Sequence, residues 1–193
     1  MAIKRGMAPS AAALWVWVTS VSHSGASSAA QSCRLLLPNT TPVVMRASVC
    51  IAPASHSVAA LGAIPRLMAI NSALEVDLFG QVNAERAGGV FQAGAGGLPA
   101  FAHGALNSPG GHLFICLGAT ARQGTVSRIV PSLGAQGLCT LPRSMADVVV
   151  TEHGAAQIRH LSLDARAQAL IGIAAPEHRH ALANDWDELM RKA

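Results

Sequence analysis

Two carboxylates stand close together on an apolar stretch of a chain in which acids are scarce. The stretch AINSALEVDLFGQVNAE places Glu75 and Asp77 two residues apart. On a strand this spacing puts both side chains on one face, where paired carboxylates could carry out acid/base or covalent catalysis. More often such a face is solvated or hydrogen-bonded to a neighbouring loop. The pair alone leaves a catalytic role and a framework role open.

A second candidate is the glycine-rich segment that ends in GAGG, residues 94–97, before a predicted helix. Glycine lets backbone N–H groups approach a ligand closely, and the start of a helix favours anions. The segment could cradle a phosphate or an oxyanion, or it could be a tight surface turn. It matches neither GxGxxG nor the P-loop pattern. The chain also lacks HExxH and GxSxG, so a metal site and a hydrolase triad have no local support.

The elements that must position these residues can be predicted from periodicity. Alternation from Met68 to Leu78 predicts a strand, and residues 82–84 could pair back on it. The continuous apolar run HLFICLGAT predicts a strand buried on both faces. TVSRIVPSL and ADVVVTEHG indicate further strands, and a short helix is expected near residues 101–106.

The C-terminal part carries helix signals. Ser162 can cap one helix, and Pro176 suits the first turn of another. The predicted buried stripes are Leu163, Ala167, Leu170, Ile171 and Ala174 in the first helix and Leu182, Trp186, Leu189 and Met190 in the second. Strands mixed with helices, some strands wholly apolar, predict an α/β domain around a mainly parallel sheet with C-terminal helices.

Composition limits the class of protein. The chain has 193 residues, of which 51% are hydrophobic and 12% charged, which suits one domain with a real core. The net charge of +4 arises because residues 1–74 contain no acid. With no Tyr and few Phe, nucleic-acid binding is not expected. Four cysteines without a CxxC pair favour a reduced, cytoplasmic compartment.

Residues 1–38 form an Ala/Ser-rich stretch that we expect to be poorly structured or mis-delimited, with the folded domain at 39–193. The apolar burst at residues 11–21 is too short to span a bilayer, so no membrane partner is expected. Basic residues before it and ASSAAQ after it imitate a signal peptide. Secretion is therefore an alternative reading of this segment.

Five strings in order, AINSALEVDLFGQVNAE, GAGGLPAF, TVSRIVP, VVVTEHGAAQIR and LSLDARAQALIGIAAPEHR, closely resemble the C-terminal domain of the acetyl-CoA hydrolase/transferase family. The resemblance implies a domain of the CoA-transferase type, one of two related α/β domains with an active site between them. It implies acyl-CoA hydrolysis or CoA transfer between carboxylates, with acyl-CoA and a small carboxylate as substrates and no permanently bound cofactor. The implied mechanism passes through a glutamyl anhydride and a glutamyl-CoA thioester.

The resemblance also assigns positions. Gly96 and Gly97 match a glycine pair that helps to form the oxyanion site, Leu74 an apolar residue along CoA, and Arg122 a lysine that could meet a CoA phosphate. The family's nucleophilic glutamate lies well upstream of the string that holds Glu75, yet Glu75 is the first acid of this chain. No catalytic residue is therefore assigned, and Glu75 and Asp77 are expected to belong to the framework.

Departures from the family pattern remove charges near the glycine loop, where Ala100 stands for an aspartate and His103 for an arginine. We therefore expect the C-terminal part of a hydrolase/transferase that is inactive by itself. It would need a separate N-terminal domain, and a face left uncovered could cause self-association. The alternative is a non-catalytic CoA-binding or interaction module.

Overall fold

The computed structural model describes residues 57–134 and 137–192, together with the backbone of five short strands before residue 49. The chain divides into two compact units, Met1–Asn71 with Gly96–Leu113 and Ser72–Ala95 with Phe114–Ala193. The elements of the first unit are β1 (Ala2–Lys4), β2 (Trp15–Thr19), β3 (Cys33–Leu35), β4 (Val43–Met45), β5 (Ala47–Ser48), α1 (Val58–Gly62), β6 (Leu67–Ser72, ending in the second unit) and α2 (Leu98–Asn107).

Strand pairing in the first unit is mixed. β2 pairs in parallel with β6, whereas β1 pairs antiparallel with both β2 and β5. The chain turns at the end of α2 at Ser108. The Ser108 hydroxyl accepts a hydrogen bond from Leu67 N at 3.0 Å and donates one to Ile64 O at 2.6 Å. This buried serine therefore fixes the start of β6 against the end of α2.

Helices α1 and α2 approach each other closely. The Ser57 hydroxyl caps α1 by accepting a hydrogen bond from Ala60 N at 3.4 Å. A Cβ added at Gly104 of α2 would lie 2.3 Å from Leu61 Cβ, so only glycine fits at this contact. The buried face of α2 carries Leu98, Phe101, Ala102 and Ala105.

The second unit contains most of the described strands and both long C-terminal helices. Its elements are β7 (Glu75–Asp77), β8 (Val82–Asn83), β9 (Arg86–Ala87), β10 (Val90–Phe91), β11 (His112–Cys116, beginning in the first unit), β12 (Thr120–Ala121), β13 (Val126–Ser127), β14 (Ile129–Val130), β15 (Val148–Thr151), β16 (Gly154–Gln157), α3 (Leu163–Ile173) and α4 (Pro176–Lys192).

Two strand groups organise this unit. β15 pairs in parallel with β11 and antiparallel with β16. β7 lies between β14, its parallel partner, and β8, which returns antiparallel with Glu75 opposite Asn83. The fold-class prediction is confirmed: the protein is α/β, with a mixed sheet of mostly parallel strands and helices at the C-terminal end.

The helix signals near the C-terminus are confirmed. The Ser162 hydroxyl accepts a hydrogen bond from Ala165 N at 3.3 Å, and α4 begins at Pro176. Leu182 and Trp186 are buried as predicted, but Met190 is 36% exposed. Residues four apart on a helix drift by about 40° per step, which turns Met190 about 80° away from Leu182.

The predicted strand from Met68 to Leu78 is wrong as a single element. The chain forms β6 and β7, and the two residues between them change hydrogen-bond partner: Ala73 N donates to Cys116 O at 3.2 Å, and Leu74 N donates to Asn83 O at 2.8 Å. β11 is fully buried on one face only, at Leu113 and Ile115, while its other face is half-buried.

Most of residues 1–38 lie outside the described residues, although Trp15–Thr19 of the apolar burst form β2. The expectations for that segment stay predictions. Among the residues that the structure describes, no helix combines the length and the apolar character needed to cross a bilayer.

Candidate functional site

The glycine pair lies at the start of α2 in the first unit. Gly96 has a φ of +54°, a left-handed backbone conformation that is strained in residues with a side chain. Gly97 is the N-cap residue of α2. Gly97 O accepts a hydrogen bond from Phe101 N at 3.0 Å, but none of the side chains that the structure describes caps the helix. The first turn of α2 also contains no acid. Its backbone N–H groups are therefore suited to receive a negatively charged oxygen.

Leu74 lies in the second unit, between β6 and β7. Its N–H donates to Asn83 O at 2.8 Å, and its carbonyl accepts a hydrogen bond from the Arg128 guanidinium at 2.8 Å. The N–H group of Leu74 is thus held by a backbone carbonyl and its carbonyl group by a cation. The half-buried Leu74 side chain is presented from a fixed position.

Glu75 takes part in a network that centres on Asn83, which sequence reasoning did not single out. The Asn83 amide group donates to Glu75 Oε2 at 3.0 Å and to Arg86 O. Its carbonyl oxygen accepts hydrogen bonds from Glu85 N at 3.1 Å and from Arg86 N at 3.0 Å. Asn83 is fully buried, so these bonds compensate the burial of its amide. Glu75 is one acceptor in this framework.

Asp77 closes the turn between β7 and β8. Its carboxylate, which is 0% exposed, accepts hydrogen bonds from Gln81 N and Gln81 Nε2, both at 2.8 Å, and from Leu133 N at 3.3 Å. Burial raises the pKa of the Asp77 carboxyl above its ordinary value, against the lowering effect of these hydrogen bonds. The contacts of Asp77 and of Glu75 both favour the framework role over a reacting group.

Arg122 lies in the loop that joins β12 to β13. Arg122 and Gln123 both have left-handed backbones, with φ of +50° and +57°. The loop is held by Thr125 Oγ1, which donates to Arg122 O at 2.8 Å, and by His178 Nε2, which donates to Gly124 O at 2.8 Å. Within the described part of the chain, the exposed Arg122 guanidinium makes no hydrogen bond or ion pair. Among the described residues, Arg122 is therefore an unpaired cation on a loop that hydrogen bonds hold in place.

The hairpin formed by β9 and β10 was missed because its sequence was interpreted as part of a glycine-rich loop. Gly88 and Gly89, with φ of +58° and +79°, form its two-residue turn. A glycine pair between two short segments is a hairpin signal that could have located it. The hairpin exposes Phe91, with the Arg86 guanidinium over its ring at 5.6 Å from the centroid.

The candidate residues are thus distributed over both units. Gly96 and Gly97 begin α2 in the first unit, whereas Leu74 and Arg122 belong to the second. In the second unit, Arg122 lies beside the β9–β10 turn: its Nη2 atom would be 3.9 Å from a Cβ added at Gly88. Among the described residues, no group of three or more metal-ligating side chains comes together.

Comparison with known proteins gives a family match over most of the chain. Residues 39–186 match the model of the acetyl-CoA hydrolase/transferase C-terminal domain. The butyryl-CoA:acetate CoA-transferase of Anaerostipes caccae is 39% identical over 137 residues, which are 69% of this chain and 31% of that protein. The 4-hydroxybutyrate coenzyme A transferase of Clostridium kluyveri is 42% identical over 120 residues, which are 62% of this chain and 28% of that protein.

A solved structure is also similar to this chain. RipA from Yersinia pestis is 33% identical, with a TM-score of 0.65 over 70% of this chain and 30% of that one. The chain therefore spans about 30% of the length of the curated relatives that it matches.

Proposed function

Because the chain belongs to the acetyl-CoA hydrolase/transferase family, whose C-terminal domain it matches, we propose that it binds acyl-CoA for hydrolysis or for transfer of CoA between carboxylates. The observation that carries the proposal is the uncapped start of α2 at Gly96 and Gly97 within the family match. The substrates are an acyl-CoA thioester and a small carboxylate.

Each candidate residue has a role in binding. The N–H groups at the start of α2 stabilise the negative charge that develops on the thioester oxygen during attack. Leu74 contacts the apolar part of the pantetheine arm from its fixed position. Arg122 neutralises a CoA phosphate with a guanidinium that has no other partner among the described residues.

The reaction needs a glutamate nucleophile. Its carboxylate attacks the thioester carbon, the C–S bond breaks, and CoA leaves as a thiolate from an acyl-glutamyl anhydride. The thiolate then attacks the glutamyl carbonyl, which releases the acyl group as a carboxylate and leaves a glutamyl-CoA thioester. An acceptor carboxylate or water resolves this intermediate.

We assign this nucleophile to a glutamate outside this chain. Residues 1–74 contain no acid. Asp77 is fully buried and occupied by Gln81 and Leu133, and Glu75 is bonded to Asn83. Attack by Asp77 would break the hydrogen bonds that hold the β7–β8 turn, and attack by Glu75 through Oε2 would break its bond to Asn83.

The purified chain should therefore bind CoA without steady thioester cleavage. Titration calorimetry measures binding, and release of free CoA from acetyl-CoA measures turnover. Gly96→Ala should weaken CoA binding at least tenfold, because a methyl group strains the left-handed backbone at the helix start. Gly94→Ala is the matched control, since its Cβ would meet nothing within 4 Å. Steady cleavage by the chain alone would contradict the assignment of the nucleophile, and absence of CoA binding would contradict the proposed function.

A second candidate function is a CoA-binding or interaction module without catalysis. It is supported by the hydrogen bonds of Glu75 with Asn83 and of Asp77 with Gln81, which give both carboxylates a framework role. Ligand binding would then be the contribution of the chain. The two functions can be distinguished by mixing the chain with a polypeptide that contains the part of a relative that this chain does not match. Cleavage restored in the mixture supports the enzyme, whereas unchanged binding without cleavage supports the module.

A further inference from the structure

We propose that the exposed face of Phe91 is the platform on which the adenine ring of CoA stacks. Arg122, which lies beside the turn of the same hairpin, binds a phosphate of the same nucleotide. The inference rests on the proposed function, because it assigns the nucleotide end of that substrate to the β9–β10 hairpin. It adds a residue that the family resemblance did not single out.

The hairpin holds the Phe91 ring in a defined position. Phe91 pairs with Arg86 across the two strands, and the Arg86 guanidinium lies over the ring, 5.6 Å from its centroid. Arg86 is fixed in turn, since its Nε donates to Gly89 O at 2.9 Å. One side of the ring therefore carries a cation, while the residue as a whole is 65% exposed. An exposed aromatic ring held in place is suited to stack on a planar base.

The charges around the ring favour a phosphorylated ligand. The free Arg122 guanidinium lies next to the turn of the same hairpin, 3.9 Å from a Cβ added at Gly88. The acid nearest in sequence, Glu85, accepts a hydrogen bond from Thr140 Oγ1 at 2.9 Å. Glu177 Oε1 lies 3.8 Å from a Cβ added at Gly124 in the same loop, and among the described residues it forms no ion pair with Arg122. Arg86 lies over the ring and Arg122 lies beside the hairpin turn. Phosphate is the anion that such guanidinium groups bind well.

A nucleotide fits this surface better than an apolar partner does. Val90 is 61% exposed, but it neighbours Phe91 on a strand, so the two side chains point to opposite faces of the hairpin. The exposed apolar atoms therefore do not form one continuous patch of the kind that docks a protein. A single ring, with one arginine over it and a second beside the hairpin turn, matches one base with its phosphates.

The test uses the full chain and two ligands, CoA and adenosine 3′,5′-bisphosphate, in titration calorimetry. Phe91→Ser should weaken the binding of both ligands about tenfold, which corresponds to ~1.4 kcal/mol. Phe91→Trp should retain or strengthen both, because the larger ring stacks as well. Val90→Ser is the matched control, as it removes a similarly exposed side chain from the opposite face and should change neither affinity. Thermal unfolding of each variant verifies the fold.

The outcomes distinguish failure of the stacking platform from failure of the proposed function. Equal CoA affinity of Phe91→Ser and the wild type overturns the platform and leaves the proposed function standing. A loss for CoA with no loss for the bisphosphate also overturns it, since the ring would then contact the pantetheine arm. A wild type that binds CoA but not the bisphosphate at millimolar concentration has the same consequence. A wild type that binds no CoA overturns both.

Discussion

Replacing Asp77 by alanine should destabilise the second unit strongly, because one carboxylate satisfies three donors there. The change leaves Gln81 N and Leu133 N without their acceptor and frees the Gln81 amide, which is near enough to the surface to reach water. Two unsatisfied backbone donors cost ~2–6 kcal/mol, and relief of the buried carboxylate offsets part of this, so we expect a loss of ~2–4 kcal/mol.

Urea unfolding followed by tryptophan fluorescence measures this loss. Trp186 is a suitable reporter, since its ring contacts Phe79 of the same turn edge-to-face at 5.2 Å between centroids. Asp187→Ala is the matched control, because Asp187 lies exposed on α4. If Asp77→Ala lowers the free energy of unfolding no more than this control does, the reasoning about the turn is refuted.

The same carboxyl predicts a pH dependence with a definite sign. Burial raises the folded-state pKa of Asp77 above its ordinary value of 3.8. As pH rises from that value through the raised pKa, the folded chain keeps a proton that the unfolded chain has released, so the free energy of unfolding falls. Asp77→Asn lacks this contribution. The stability advantage of the wild type over Asp77→Asn should therefore shrink as pH rises through this window, and an advantage that grows would contradict the shift.

Two further pairs of substitutions test backbone packing by urea unfolding. Gly104→Ala should lose ~1–3 kcal/mol, because its methyl would enter the space of Leu61, whereas Gly172→Ala on α3 meets nothing within 4 Å and should gain ~0.5–1 kcal/mol. Gln123→Gly should stabilise by ~1 kcal/mol, because it relieves a φ of +57°, whereas Gln168→Gly inside α3 should lose a similar amount. Effects of the same sign within either pair would contradict the packing described.

Local signals in the sequence were sufficient for the C-terminal helices. Ser162 and Pro176 act within one turn of their own position, so the helix starts could be predicted without knowledge of the rest of the fold. The strand from Met68 to Leu78 could not be divided in this way. Alternation records which face a side chain occupies, but it carries no record of the strand with which the backbone pairs, and that partner changes between Ala73 and Leu74.

The candidate site was predictable in a similar, partial way. The framework role of Asp77 was favoured from the general behaviour of carboxylates on strands, and its contacts with Gln81 and Leu133 agree with that role. Asn83 was missed. Its bond to Glu75 depends on the return of β8 beside β7, whereas its bonds to Glu85 N, Arg86 N and Arg86 O are local. Phe91 was missed since its exposure follows from the hairpin and not from the residue type.

The bonding of Asn83 also bears on how the protein ages. An asparagine loses its amide when the next backbone nitrogen attacks the side-chain carbonyl. Here that nitrogen, on Ala84, donates its hydrogen to Thr140 Oγ1 at 3.0 Å, and the Asn83 carbonyl oxygen is held by two N–H groups. The attack requires the backbone nitrogen and the side chain to leave the positions in which these bonds hold them. Deamidation at this buried position should therefore be slow over prolonged storage.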